Sequence, residues 1–232
     1  EEIKSSPPII KTPETKTDSG KPATTTTTTT TTSTSSTVKD KVIYRVQFRS
    51  DMKLIPVSKS ILPLLLEAYN EDPEAAQTAL PWLDAEFNVQ GQLSDMLFDV
   101  ENQSDVDRLH FWWIRSEEKG AFVGLIGLGD ELQLLQSSYN LGYWVRSSYQ
   151  RQGIALEATR TILQWLENKA HENQEFHRIE ITVHPHNEPG LATANRICEE
   201  WGGEIIEQFI GIEIGQRTVP HRLHILDLPR GD

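Results

Sequence analysis

Two periods of apolar residues run along this chain, and they alternate. Val42–Phe48 alternates apolar and polar side chains and is rich in Val, Ile, Tyr and Phe, which predicts a strand. A helical stripe follows over Ile61–Tyr69, with Ser58 placed to cap it and Pro63 confined to its first turns. Asp72-Pro73 predicts the start of a second short helix, Thr78–Leu83 a loop carrying Trp82, and Leu93, Met96 and Leu97 a third helix. His110–Ile114 and Ala121–Leu128 read as a hairpin turned at Glu118-Lys119-Gly120, and Tyr139–Arg146 as the next strand. Beyond Gly153, Ala155, Thr159, Ile162, Leu163, Leu166 and Ala170 repeat at helical spacing. Ile179, Ile181 and Val183 return to period two, Pro189–Trp201 is a helix stopped at Gly202-Gly203, and Glu204–Ile214 and His221–Leu228 close the chain as two strands. Seven strands interleaved with helices predict an α/β protein built on one mixed, mostly antiparallel sheet flanked by helices.

Composition limits this pattern to residues 41–232. The first forty residues hold Pro7, Pro8, Pro13 and Pro22 and an unbroken run from Thr24 to Thr32, with almost no large apolar side chains. Such a segment cannot bury enough apolar area to offset its ordering entropy, so it is expected to be a disordered Thr/Pro-rich tail. Its five lysines balance Glu1, Glu2, Glu14, Asp18 and Asp40, so the net charge of −12 belongs to the rest. An acidic domain repels phosphate backbones and favours cationic partners, which argues against nucleic acid. Cys198 is the single cysteine and allows no intramolecular disulfide, which points to a reducing, cytoplasmic setting. A Thr/Pro tract is also the composition of a glycosylated stalk, and Asn102-Gln103-Ser104 is a sequon; these leave an extracytoplasmic location as the second reading. No apolar run is long enough for a membrane span, and no membrane partner is expected.

The chemistry concentrates in Leu141–Ala155. From Ser147 to Ala155 there is no proline, so every residue keeps its N–H. Gly153 permits a left-handed backbone and Ala155 is small where the helix begins. The amides of a first helical turn lack internal partners and sit at the positive end of the dipole, so this strand–turn–helix is a candidate pyrophosphate cradle, with Arg151 as a charged contact. An ordinary strand-to-helix turn is the competing reading.

Gln150-Arg151-Gln152-Gly153-Ile154-Ala155 resembles the acetyl-CoA motif of the GNAT N-acetyltransferases, Gln/Arg-x-x-Gly-x-Gly/Ala. The strand before it, Leu141–Val145, resembles the family's pantetheine-binding strand; His177–Glu180 and Asn187 resemble the next strand and its turn. Pro81-Trp82-Leu83 is similar to the acceptor loop of the RimJ/RimL type, which acetylates ribosomal-protein N-termini. The resemblance spans roughly Val42 to Leu228 and implies the GNAT fold, as monomer or homodimer, with acetyl-CoA as co-substrate and no metal. It implies that Tyr143, Trp144 and Val145 line the pantetheine and that the Val145 N–H holds the oxyanion. The motif from Gln150 through Ala155 would carry the pyrophosphate, Asn187 would contact the thiol end, and Trp82 the acceptor amine, a protein N-terminus or a small molecule. For the base, the family pattern points to Glu207, one residue late; Glu180 and Asp130 are alternatives. Gly190 stands where many RimL-type chains have Ser, and Gly203 where they have Phe. These departures keep two further functions in view: a non-catalytic acyl-CoA-binding module and an aminoglycoside or polyamine acetyltransferase.

Three other features weigh less. Gly124, Gly127 and Gly129 suggest a nucleotide loop, but no helix follows, and close packing of the sheet against a helix is the favoured reading. His184-Pro-His186 and His221-x-x-His224 have the look of metal ligands without a completing set. Cys198, on the last helix, reads as a small buried residue.

Overall fold

In the computed structural model, β1 (Met52–Pro56) buries Met52 and Leu54 and exposes Lys53 between them, the period of a strand with one covered face. The structure describes residues 48–103, 109–129, 138–214 and 217–230. The expected tail over 1–40, nearly all of the expected strand Val42–Phe48, and Asp130 lie outside them. After a single 3₁₀ turn come α1 (Leu62–Glu71), α2 (Pro73–Ala79) and α3 (Val89–Gln103), then β2 (His110–Ser116), β3 (Phe122–Gly129) and β4 (Tyr139–Val145). The chain continues through α4 (Ile154–Asn173), β5 (His177–Val183), α5 (Glu188–Trp201), β6 (Glu204–Ile205), β7 (Ile210–Ile214) and β8 (Arg217–Leu228). Asp72 caps α2 as its sequence position suggests, its carboxylate accepting from the Ala75 N–H at 3.1 Å. Ser58 does not cap α1; its hydroxyl bonds Ser60 instead.

The strands join in the order β1-β2-β3-β4-β5-β8-β6, with β7 paired to β8. Every pairing is antiparallel except β4 with β5. Among the described residues the sheet has eight strands: β1 at Met52–Pro56 was not among the seven expected, and the expected strand Glu204–Ile214 is not continuous. Glu204 and Ile205 pair with the C-terminal half of β8, while Ile210–Ile214 pair with its start.

The sheet has a core on each face. Trp112 packs with Leu141, Ile126 and the inner side of α4 and α5, while its neighbour Trp113 points the opposite way, among Phe122, Trp144 and the helices α1–α3. β3 is buried at all eight positions, as a central strand covered on both sides must be. Its glycines answer to a strand rather than a helix: a Cβ on Gly127 would meet the Phe111 ring at 2.3 Å, and one on Gly124 the Trp144 carbonyl at 2.4 Å. The close-packing reading of that Gly-rich run holds with the neighbouring strands as the partners.

Candidate active site

β4 and β5 run side by side only briefly. They are in register at Tyr139 with Ile179 and Asn140 with Glu180, and the Ser138 N–H donates to the Arg178 carbonyl at 2.8 Å. Farther along, β4 stays with β3 to Val145 while β5 stays with β8 to Val183, so the two diverge and leave a wedge-shaped cleft. The Arg146 N–H donates to the Val123 carbonyl at 2.9 Å. By the alternation of an antiparallel ladder, the N–H groups of Tyr143 and Val145 therefore face away from β3, toward the wedge. Trp144 is turned the other way: it stands opposite Leu125, its carbonyl lies against Gly124, and its indole is in the core with Phe122. Of the three residues expected to line the pantetheine, Tyr143 and Val145 present their amides to the wedge and Trp144 presents its own to β3.

At the end of β4 the chain turns into α4. The Gln150 side chain donates to the Val145 carbonyl at 3.0 Å and ties the turn to the strand. Arg151 has φ 62° and Gly153 φ 72°. A left-handed arginine is costly, roughly 1–3 kcal/mol, and such residues gather where a backbone shape is needed. Gly153 precedes α4 with no side-chain cap on the helix, so the free amides of the first turn remain available. Arg151, Gln152 and Gly153 are exposed, Ala155 is partly exposed and Ile154 is buried beneath them. Three amides are already committed upstream: Ser148 donates to the Glu71 carboxylate at 2.7 Å, Tyr149 to the Arg146 carbonyl and Gln150 to the Ser147 carbonyl, while Glu71 also pairs with Arg146. Burial opposes ionisation of Glu71, but the hydrogen bonds from Arg146 and Ser148 prevail and hold it below the usual carboxylate range.

The far wall is assembled from distant segments. Leu80, Pro81 and Trp82 after α2, Met96 and Asp99 of α3, the end of β5 from Thr182 to His184, Asn187, and His221 of β8 all line the cleft. Tyr143 reaches across it, its hydroxyl donating to the Gly190 carbonyl at 2.8 Å. Burial, then the nearby Cys198 sulfur, pushes this phenol's pKa upward and keeps it a donor. Asn187 caps α5, accepting from the Gly190 N–H at 3.0 Å, and a Cβ at residue 190 would come within 2.6 Å of its amide nitrogen. Cys198 is buried, and burial pushes its thiol up to about 11, far from a thiolate nucleophile at neutral pH.

Two of the carboxylates expected as bases, Glu207 and Glu180, sit elsewhere. Glu207 is exposed in the loop between β6 and β7, where its carbonyl accepts from Arg222, and it is not among the residues lining the cleft. Glu180 is fully buried and also away from the lining. The histidines are the functional candidates that sequence reasoning passed over, because it tested them only as metal ligands. His221 is 1 % exposed, its Nδ1 lies 3.0 Å from the Val219 carbonyl, and its Nε2 has no hydrogen-bond partner. The His184 ring lies edge-on to it at 5.7 Å. His224 is separate: Nδ1 meets the Ile181 carbonyl at 3.2 Å and Nε2 the Asn195 side chain at 2.8 Å. Among the described residues no group of His, Cys, Asp or Glu is arranged to hold a metal ion.

A mixed sheet parted between two parallel strands, with an uncapped helix N-terminus at the mouth, is an arrangement that an acetyltransferase domain can use. The profile of the GNAT acetyltransferase domain matches residues 51–197, and the chain belongs to that family, whose members move acetyl groups from acetyl-CoA to amines. Compared with curated proteins by sequence, the chain has no significant match. Among solved structures, it is similar to a Salmonella typhimurium acetyltransferase that modifies the N-terminal serine of a 50S ribosomal protein, at 14% identity and TM-score 0.60, over 79% of this chain and 97% of that one. A putative ribosomal-protein-serine acetyltransferase from Vibrio cholerae superposes with TM-score 0.60 at 18% identity, over 80% of this chain and 98% of its own. Mycobacterium smegmatis RimJ, solved with a CoA disulfide, superposes with TM-score 0.59 at 21% identity, over 80% and 86%. These likenesses show a shared fold.

Proposed function

We propose that the chain acetylates the free α-amine of a protein or peptide N-terminus, binding acetyl-CoA in the wedge between β4 and β5. The observation that carries this reading is the wedge itself, open where β4 presents the Tyr143 and Val145 amides and ending at the uncapped first turn of α4. The pyrophosphate rests on the amides from Arg151 to Ala155, with Gln150 holding the turn and Arg151 adding charge. Pantetheine runs along β4 between Tyr143 and Asn187. The Val145 N–H donates to the carbonyl oxygen of the thioester as it becomes an oxyanion, a contact stronger in the transition state than before it. The amine enters past Trp82 and Asp99, attacks the thioester carbon directly, and the sulfur leaves with the C–S electron pair. No covalent intermediate with the protein forms.

Support for a peptide acceptor comes from the RimJ/RimL-type likenesses and from a far wall of broad apolar side chains, Leu80, Trp82 and Met96, with Asp99 at its rim. The net charge of −12 favours any cationic amine. A cytoplasmic location fits the lone buried cysteine, and no helix among the described residues is long and apolar enough to cross a membrane.

Release of free thiol from acetyl-CoA, measured against peptides beginning with Ser or Ala and against polyamines and aminoglycosides, tests the proposal. Turnover with peptides at kcat/KM well above that for small amines supports it. Preference for an aminoglycoside or polyamine moves the acceptor, and acetyl-CoA binding with no transfer to any amine makes the chain a binding module.

A further inference from the structure

An alkylammonium ion has no lone pair with which to attack a thioester, so something in the cleft must take a proton from it. Among the described residues, four ionisable side chains line that cleft: Asp99, Tyr143, His184 and His221. Asp99 is exposed at the rim, on α3. Tyr143 donates its proton to the Gly190 carbonyl. His184 accepts the His186 N–H on Nδ1 at 3.1 Å, which leaves the proton of the neutral ring on Nε2 and no free lone pair. His221 is the reverse case. Its Nδ1 lies on the Val219 carbonyl, so Nδ1 carries the hydrogen, and Nε2 keeps an unused lone pair.

Building on the acetyl-transfer reading of the cleft, we infer that Nε2 of His221 is the general base that deprotonates the acceptor amine. The buried, unpartnered nitrogen is what a site shaped to accept one hydrogen from a ligand presents. β8 holds it in place: His221 is in register with Ile210 of β7, and Arg222 beside it is in register with Val183 at the end of β5. The ring takes one proton from R–NH₃⁺. The freed lone pair forms the C–N bond, and the C–S pair leaves on sulfur. The extra hydrogen on nitrogen then passes to the thiolate, giving free thiol, while His221 returns its proton to water. The net reaction releases one proton.

The charged neighbours set the pH response. His184 faces the ring edge-on, His186 stands behind His184, Asp99 and Tyr143 share the cleft, and the Arg222 guanidinium turns to the carbonyls of Ile206 and Glu207. Burial lowers the pKa of His221 from the usual histidine value, partly offset by its bond to Val219. It is therefore neutral, in the accepting form, at pH 7. Activity governed by it rises with pH through an acidic limb placed below about 6.5.

The test compares wild type with His221→Gln by thiol release across pH 5–9, using a peptide acceptor, beside calorimetry with acetyl-CoA and thermal melting. The expected result is kcat lower by about 10²–10⁴, the usual range for losing a general base, with loss of the acidic limb and unchanged acetyl-CoA affinity. A folded variant with kcat within about threefold of wild type and the same limb overturns the inference. If the variant does not fold, NMR titration of the His221 ring in the wild-type protein decides: its pKa must coincide with the kinetic limb, and a ring that stays neutral through the limb overturns the assignment. A wild-type protein that binds acetyl-CoA yet transfers to no amine overturns the acetyl-transfer reading as well, a result distinct from an active enzyme indifferent to His221.

Discussion

The two walls of the cleft are made in different ways. The wall proposed for the cofactor is one continuous segment, Leu141–Ala155, and its working groups are backbone amides. The opposite wall is gathered from α2, α3, the end of β5 and β8, and its working groups are side chains brought together from residues 80 to 221. A backbone-built site is robust to most side-chain changes and sensitive to backbone geometry. A side-chain-built site has the reverse weakness. Specificity can therefore drift on the acceptor wall while the cofactor wall keeps its shape, which suits a family that uses one donor with many acceptors.

The largest expected effect on the cofactor wall strikes backbone geometry. Gly153→Val places a β-branched residue at φ 72°, and although a Cβ there would meet open space, the conformation itself is strained. The turn should relax and carry the amides of residues 151–155 out of position. Acetyl-CoA affinity is expected to fall roughly a hundredfold, about 2.7 kcal/mol, in a protein that still melts cooperatively. Calorimetry returning wild-type affinity would remove the backbone cradle from this account.

On the opposite wall, Trp82→Ala should do the converse. The half-buried indole covers the cleft from the turn after α2. Its loss should raise KM for a peptide acceptor about tenfold, near 1.4 kcal/mol, with acetyl-CoA affinity unchanged. A matched loss of donor affinity would mean that the walls are not separable.

This division also explains what could be read from the sequence. A glycine, the absence of proline and a small residue at a helix start act locally, so Gln150–Ala155 was legible as a candidate phosphate cradle. The splay of β4 from β5 could not be read from the residues, because pairing is not written in either strand. The role of His221 was invisible: it depends on β8 lying against β5 with Arg222 opposite Val183, a contact between residues 39 positions apart. The break in Glu204–Ile214 was missed for a similar reason. Large apolar residues continue on both sides of the break, and the hydrogen bonds from Arg222 to the carbonyls of Ile206 and Glu207 mark where the chain leaves β8.

Acid separates the two regions by a different measure. His184, His221 and His224 all have pKa values lowered by burial. A histidine with a folded pKa below its unfolded value adds stability that is complete above about 6.5 and is lost as pH falls below that. Glu71, at the cofactor end, also has a lowered pKa, so its contribution persists until pH falls below the ordinary carboxylate value, about 4.3. The acceptor side should loosen first. Melting temperature should drop by several degrees between pH 7.5 and 5.5, with hydrogen exchange rising first in β5 and β8. Earlier exchange at β4 and the start of α4 would reverse the order.

The smallest expected effect is at Glu207. Family pattern makes it the base, one residue out of step, whereas its position makes it an exposed loop residue held by its carbonyl to Arg222. Arg222 binds the backbone there, so changing the side chain leaves that anchor intact. Glu207→Gln should therefore keep kcat within about twofold of wild type, against the 10²–10⁴ loss that general-base removal produces. The pH profile should keep its acidic limb, since the limb belongs to another group. Profiles taken with two peptides whose α-amines differ in pKa separate the remaining sources: a limb that moves with the peptide belongs to the acceptor, and one that stays belongs to the protein. If Glu207→Gln loses a hundredfold or more, the loop must close over the cleft during turnover and bring the carboxylate in. The acceptor wall would then depend on a residue that the sequence pattern had marked, and His221 would have to surrender its role.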